Sequence, residues 1–232
     1  MPTQILAKAL LVLLSAASFT VICTPPNGFP GSSGPRPSFK KGFSSEVREW
    51  ILTFVPPHLF PLQKKLYWLA SLNEVVHIFR SDSEHLSPLF IAAAASSISG
   101  GLIRYLCYRA LTEAFTLDLV PVGTRSDKAA KLITNGPYSI VRHPSYTGVI
   151  LNFVGSVAVH VVEGSWVRST PSMLSILVFW VLGVPCVVIM LVCCISLVAR
   201  TNEEDEMVHK QFGEEWENWK TRVRYKLVPG VY

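Results

Sequence analysis

An all-α, polytopic membrane protein with about five transmembrane helices and a C-terminal amphipathic helix is the fold that three observations predict. Half of the 232 residues are hydrophobic and only 16% are charged, against about 25% in an ordinary soluble domain. The apolar residues fall in long blocks rather than in a 3.6-residue alternation, and the mean hydropathy is +0.36. Beyond Ala199 the chain turns polar, with apolar residues recurring on one helical face.

Five blocks carry the spans. A bilayer core of roughly 30 Å needs about 20 apolar residues in a helix, and Ile5–Cys23, Leu86–Tyr108 and Ser172–Ala199 reach that length. Ile5–Cys23 is read as a retained helix rather than a cleaved signal peptide, because its apolar run exceeds the usual h-region of about 7–15 residues. Leu62–Phe79 is the weakest block, interrupted by Lys64, Lys65, Asn73 and Glu74, and Tyr146–Val162 is short. Pro185 sits inside the longest block, where a proline removes a backbone donor and predicts a kinked single span.

Between the first two blocks, residues 24–45 are rich in proline, glycine and serine and read as an irregular linker. Val47–Phe60, with Trp50, Phe54 and two prolines, suits an interfacial helix. In the tail, Val208, Phe212, Trp216, Trp219 and Val223 share one helical face. The spacing predicts an amphipathic helix continuing from the fifth span, lying against the protein or the bilayer and ended by Pro229, with tryptophans that suit the headgroup level.

Lysine and arginine set the expected orientation. Arg36, Lys40, Lys41 and Arg48, then Arg109, Arg125, Lys128, Lys131 and Arg142, then Arg200 and the basic residues of the tail all fall on one side of a five-span arrangement. The other side offers mainly Arg80 and Arg168. Excess positive charge marks the cytosolic face, and the net charge of +5 suits an anionic leaflet. The five cysteines lie in or beside apolar blocks without metal-type spacing.

Two stretches carry chemistry. The first is Ile133–Leu151, ITNGPYSIVRHPSYTGVIL. Asn135-Gly136-Pro137 is a turn, Pro144 pushes His143 out of the helical region, and Pro144 suits the first position of a helix. A helix start there exposes backbone N–H groups that attract carboxylates or phosphates. Tyr138 and Tyr146 add aromatic faces, and Arg142 and His143 add donors. An interfacial aromatic and basic belt would use the same residue types, but it leaves the compact order Gly-Pro-Tyr, Arg-His-Pro, Tyr unexplained. The second stretch is Arg200–Glu206, RTNEEDE, in which Arg200 and Glu204 share a helix face. Both stretches fall on the same predicted membrane side, as a shared site requires.

Together, NGPYSIVRHPSYTGVIL, RTNEEDE and FGEEWENW resemble the isoprenylcysteine carboxyl methyltransferase family over about residues 120–232. The resemblance implies a division into an N-terminal region, residues 1–110, of transmembrane helices and linker, and a methyltransferase region, residues 111–232. It implies S-adenosylmethionine as cofactor, held by Tyr138, His143, Pro144, Ser145, Tyr146 and Glu204, with Leu132 and Ile133 cradling it. Arg200 is the implied catalytic and substrate-binding residue. The implied substrate is the prenylated C-terminal cysteine, farnesyl or geranylgeranyl, of CaaX-type proteins, methylated at its carboxylate at the endoplasmic reticulum membrane. No nucleic-acid partner and no metal are expected. The chain departs from the family pattern at Glu204-Asp205, where two glutamates are usual, and Glu203-Glu204 is the rival register. Rival activities are methylation of a phospholipid amine and NADPH-dependent reduction of a sterol or enone; a structural adaptor is the non-enzymatic alternative.

Overall fold

The computed structural model describes residues 2–26, 43–80, 86–111, 131–163, 165–169 and 179–232. Its regular elements are helical: α1 (Pro2–Ile22), α2 (Phe43–Arg80), α3 (Pro88–Leu111), a 3-10 turn (Gly136–Ser139), α4 (Pro144–Val161), the short α5 (Trp166–Ser169), a π-helical turn (Phe179–Gly183), α6 (Val184–Phe212) and α7 (Glu214–Arg222). The 24–45 linker lies largely outside the described residues, as do Arg125, Lys128 and the beginning of the fifth block.

Among the described residues, four helices are long and apolar enough to cross a membrane: Thr3–Ile22, Pro88–Leu111, Pro144–Arg168 and Trp180–Phe212. Their outward faces carry exposed Leu10, Leu89, Leu102, Val154, Leu191 and Ile195. An apolar belt of this kind suits lipid, where backbone polar groups are satisfied within each helix.

The second block and the supposed interfacial helix prove to be one element, α2, of 38 residues. It is tied at both ends of the bundle. Near its start Arg48 pairs with Glu203 of α6, and near its end Glu74 accepts the Trp166 backbone N–H at 2.9 Å. Those two positions are 26 residues apart, about 39 Å of helix. Gln63, Ser71 and Glu74 turn inward while Leu62, Leu69, Leu72 and Val76 stay exposed. Gln63, Ser71 and Glu74 are therefore sequestered from lipid, which an average over a hydropathy window does not register, while Lys65 and Asn73 remain exposed.

Association of apolar helices in lipid relies on close backbone approach and buried polar contacts, and α3 and α4 show both. A Cβ on Gly155 would meet the Ala93 carbonyl oxygen at 2.5 Å and the Ser97 nitrogen closer still. Beside this contact, Ser97 Oγ meets Ser15 Oγ of α1 at 2.8 Å and Ser156 Oγ at 3.0 Å, and Asn152 Nδ2 donates to the Ser97 carbonyl at 2.8 Å. The obstructing atoms at Gly155 are backbone and have no rotamer by which to yield. Gly155→Val is therefore expected to destabilise the bundle by about 1–3 kcal/mol or more. Thermal unfolding in detergent should show it as a midpoint lowered by roughly 5 °C.

Two details of the last span stand out. Pro185 opens α6 but lies within one continuous candidate span, Trp180–Phe212, as expected, and follows directly on a change of helix type. The irregularity precedes it, as the π-helical turn Phe179–Gly183. At the other end, α6 runs on through Phe212 and breaks at Gly213, whose φ is +53°. The amphipathic stretch is thus split between α6 and α7, and α7 ends at Arg222, well before Pro229. Trp216 and Trp219 are not headgroup anchors; both are buried with Leu132 and Val223, and Tyr138 packs against them.

Candidate functional site

The polar run 135–143 folds as its residue types dictate. Gly136 takes a φ of +60°, a conformation that costs glycine little, and a 3-10 turn follows through Ser139. His143 is the N-cap of α4, with a non-helical φ of −121°, and Pro144 occupies the first turn. The C-terminal segment fixes this backbone. Arg142 N–H donates to the Tyr225 carbonyl at 3.0 Å and His143 N–H to that of Lys226 at 2.8 Å. Thr147 Oγ1 adds a bond to the Leu227 carbonyl at 2.7 Å, and the Arg142 guanidinium donates to the Val223 and Arg224 carbonyls at 3.1 and 2.9 Å.

Opposite this helix start, three successive acids on α6 point three ways, since each helical residue turns about 100° from the last. Glu203 faces α2, paired with Arg48 at 2.5 Å and accepting from Ser45 at 3.1 Å. Glu204 faces α4: Tyr146 O–H donates to its Oε2 at 2.5 Å, and His143 Nδ1 lies 3.5 Å from the same oxygen. Asp205 faces the tail side, 3.1 Å from His143 Nε2, 3.2 Å from Arg142 Nη2 and 3.9 Å from Lys226 Nζ. The His143 and Tyr146 rings stack, with centroids 5.5 Å apart.

His143 is thus clamped between two carboxylates. Burial by itself lowers its pKa, but hydrogen bonds and charge from Asp205 and Glu204 outweigh that and raise it to about 9. The imidazolium form is favoured at neutral pH. Because the folded value lies above the unfolded one, the stabilisation is fully present below about pH 6.5. It falls away as pH rises through about 9. The contribution at pH 7 is on the order of 2–3 kcal/mol. Urea or thermal unfolding of the protein and its His143→Gln variant should show a stability gap at pH 6.5 that closes by about pH 10.

The remaining expected residues fall as follows. Ser145 is buried and accepts a hydrogen bond from Arg104 of α3. Pro144 is fully buried. Leu132 lies in the Trp216–Trp219 cluster, and Trp219 Nε1 donates to the Tyr138 carbonyl at 3.1 Å. Ile133 is half-buried. Arg200, 4% exposed, reaches across the bundle, with Nη1 3.7 Å from Glu49 Oε2 of α2. Its charge still acts on Glu204 and Tyr146.

Residues 89–184 match the phospholipid methyltransferase family. No solved structure matches the chain. The phospholipid methyltransferase match supports a membrane methyltransferase, and the region it covers takes in α3, the His143-Pro144 helix start and α4. Arg200 and the three acids lie beyond it, on the helix that packs against α4.

Sequence reasoning passed over Arg104 and the part that residues 223–227 of the tail play in holding the Arg142-His143 backbone. Arg104 is 5% exposed within an apolar span, donating from Nε to Tyr108 at 2.9 Å and reaching Ser145. A lone arginine in an apolar block is the signal that would have found it, because such a charge is costly in lipid and marks a function. Glu49 and Lys226 carried no comparable signal, and Asp205 stood out only as the departure from two adjacent glutamates. Their roles depend on which helix face they happen to meet.

Proposed function

We propose that the chain transfers a methyl group from S-adenosylmethionine to the C-terminal carboxylate of a prenylated cysteine, at the membrane face that carries His143 and Glu204. The observation that carries this reading is the setting of Arg200: a buried guanidinium already facing a carboxylate, one helical turn before Glu204. A buried cation suits an anionic acceptor, which a planar guanidinium can grip through two parallel bonds. It would repel the ammonium form of an amine acceptor.

The residues at the α4 start fit the cofactor by their chemistry. Tyr138 and Tyr146 supply aromatic surface and an acid suits its ammonium or ribose, whereas the N–H groups of Tyr146 and Thr147 are already donated to the His143 carbonyl, at 3.1 and 3.3 Å. Glu204 keeps 31% of its side chain exposed against 12% for Asp205, so Glu204 is the acid with a face left for a ligand. Bound there, S-adenosylmethionine supplies an electrophilic methyl on a sulfonium. Its methyl would pass from sulfur to the acceptor oxygen, leaving a neutral thioether. The acceptor carboxylate is ionised at pH 7, so the protein needs no general base. Its residues orient the two partners and exclude water.

Methylation of a phospholipid amine is the second reading, favoured by the description of the matched family. An amine must lose a proton to attack. His143, the nearest candidate base, is held protonated by Glu204 and Asp205, which weighs against it. Purified protein in detergent, given methyl-labelled S-adenosylmethionine with a farnesylated cysteine analogue or with phosphatidylethanolamine, separates the two. A base-labile methyl ester on the cysteine analogue is the expected product; label on phosphatidylethanolamine alone would replace this reading with the other.

A further inference from the structure

Arg200 lies at one end of a charge network that joins the start of α2 to α6. Ser45 and Arg48 hold Glu203, at 3.1 and 2.5 Å. Glu49 lies between two guanidinium groups, with Oε1 3.7 Å from Arg48 Nε and Oε2 3.7 Å from Arg200 Nη1. Glu204, one helical turn beyond Arg200, is engaged instead by Tyr146 and His143. Of these three acids Glu49 is the most loosely held. Both of its distances exceed about 2.9 Å, the length of a close charge-assisted bond, and 28% of its side chain is exposed.

Burial explains why a loosely held acid belongs there. With 4% of Arg200 exposed, an acceptor carboxylate reaches the guanidinium only by taking the place of a group that covers it. A desolvated charge stripped of its partner is strongly unfavourable, so the counter-charge must be exchanged rather than removed. Glu49 presents the same chemical group as the acceptor. It also has somewhere to go, because Arg48 already lies beside it. Methylation then reverses the balance. The acceptor enters as an anion and leaves as a neutral ester, which no longer competes for a guanidinium.

We propose that Glu49 is the resting counter-ion of Arg200, displaced by the acceptor carboxylate on binding and returning to the guanidinium once the acceptor has become a methyl ester. The proposal rests on the carboxylate-acceptor reading of the site. It makes Glu49 a specificity-determining residue: an acceptor must offer Arg200 a better anion than Glu49 does, and an uncharged one cannot. The returning carboxylate favours release of the ester.

The test titrates the full chain in detergent with a farnesylated cysteine analogue, as the free carboxylate and as its neutral carboxamide. S-adenosylmethionine is left out, so no methyl is transferred. Glu49→Gln is expected to bind the carboxylate about tenfold more tightly than the unaltered protein, ~1.4 kcal/mol, and the carboxamide equally well. Damage to the fold would move both ligands alike. Arg200→Gln should weaken binding of the carboxylate and leave the carboxamide unchanged. If Arg200→Gln leaves carboxylate affinity as it was, or the unaltered protein binds neither ligand, the acceptor reading falls and this proposal with it. If Arg200→Gln weakens the carboxylate while Glu49→Gln binds it no more tightly, this proposal alone is overturned. An equal gain for the carboxamide does the same. Should Glu49→Gln not fold, Glu49→Asp takes its place, keeping a charge beside Arg48 but drawing it back from Arg200 by one methylene. A gain of about threefold for the carboxylate alone is then expected, the scale of one partly exposed ion pair, and no gain overturns the proposal.

Discussion

Glu204→Ala is expected to weaken S-adenosylmethionine binding by roughly 100-fold and to reduce methyl transfer at least as much. The substitution removes the acceptor of the Tyr146 hydroxyl and a carboxylate 3.5 Å from His143. Hydrogen bonds to charged groups are each worth about 1.5–3 kcal/mol, and a hundredfold change corresponds to about 2.7 kcal/mol. Glu204→Gln keeps an acceptor for Tyr146 and should lose less. Its neighbour provides the control. Glu203 is committed to Arg48 and Ser45, so Glu203→Gln should lower stability while changing cofactor affinity by no more than about threefold, the scale of a contact made elsewhere. Calorimetric titration of the three variants checks this. Loss of binding in Glu203→Gln with retention in Glu204→Gln would move the ligand-facing acid by one residue.

For Arg200→Gln the expected result is a kcat/KM for the farnesylated cysteine analogue lowered about 100-fold or more, with S-adenosylmethionine affinity within about twofold of the unaltered protein. Removing one partner of a desolvated charge pair costs about 2–5 kcal/mol, and here both Glu49 and the acceptor carboxylate would lose their counter-charge. Arg200→Lys should recover little, because an ammonium cannot reproduce the planar fork. Retained cofactor binding separates a lost acceptor contact from a collapsed helix. An Arg200→Gln enzyme with unchanged KM and kcat on the carboxylate acceptor would remove Arg200 from the proposed reaction.

The local features of the site were open to sequence reading because they are set by neighbours in the chain. Asn135-Gly136-Pro137 makes a turn whatever surrounds it. Pro144 after His143 forces a helix start, and α4 begins there. The three apolar blocks of sufficient length became spans because lipid leaves a long apolar segment little choice but helix. Residues whose partners are remote in sequence were not legible in this way. Nothing near Glu203, Glu204 or Asp205 says which one meets Tyr146; that follows from the rotation of α6 against α4 and α2. Nor does the tail announce that Trp216 and Trp219 pack on Leu132 and Tyr138 rather than on lipid, because an amphipathic face looks alike for either partner.

The same division explains α2. Its charged and amide residues read as interruptions of a span; Lys65 and Asn73 are exposed, but Gln63 and Glu74 are buried, paired with or turned toward other helices. Composition and short-range pattern thus established a helical membrane protein, its principal spans and the polar helix mouth at His143-Pro144, since these depend on burial in lipid and on backbone restraints acting over a few residues. The pairing of Arg200 with Glu49, the clamp of Glu204 and Asp205 on His143, and the buried face of α2 were decided by tertiary packing. Each depends on the direction a side chain takes around its helix and on what another helix places there.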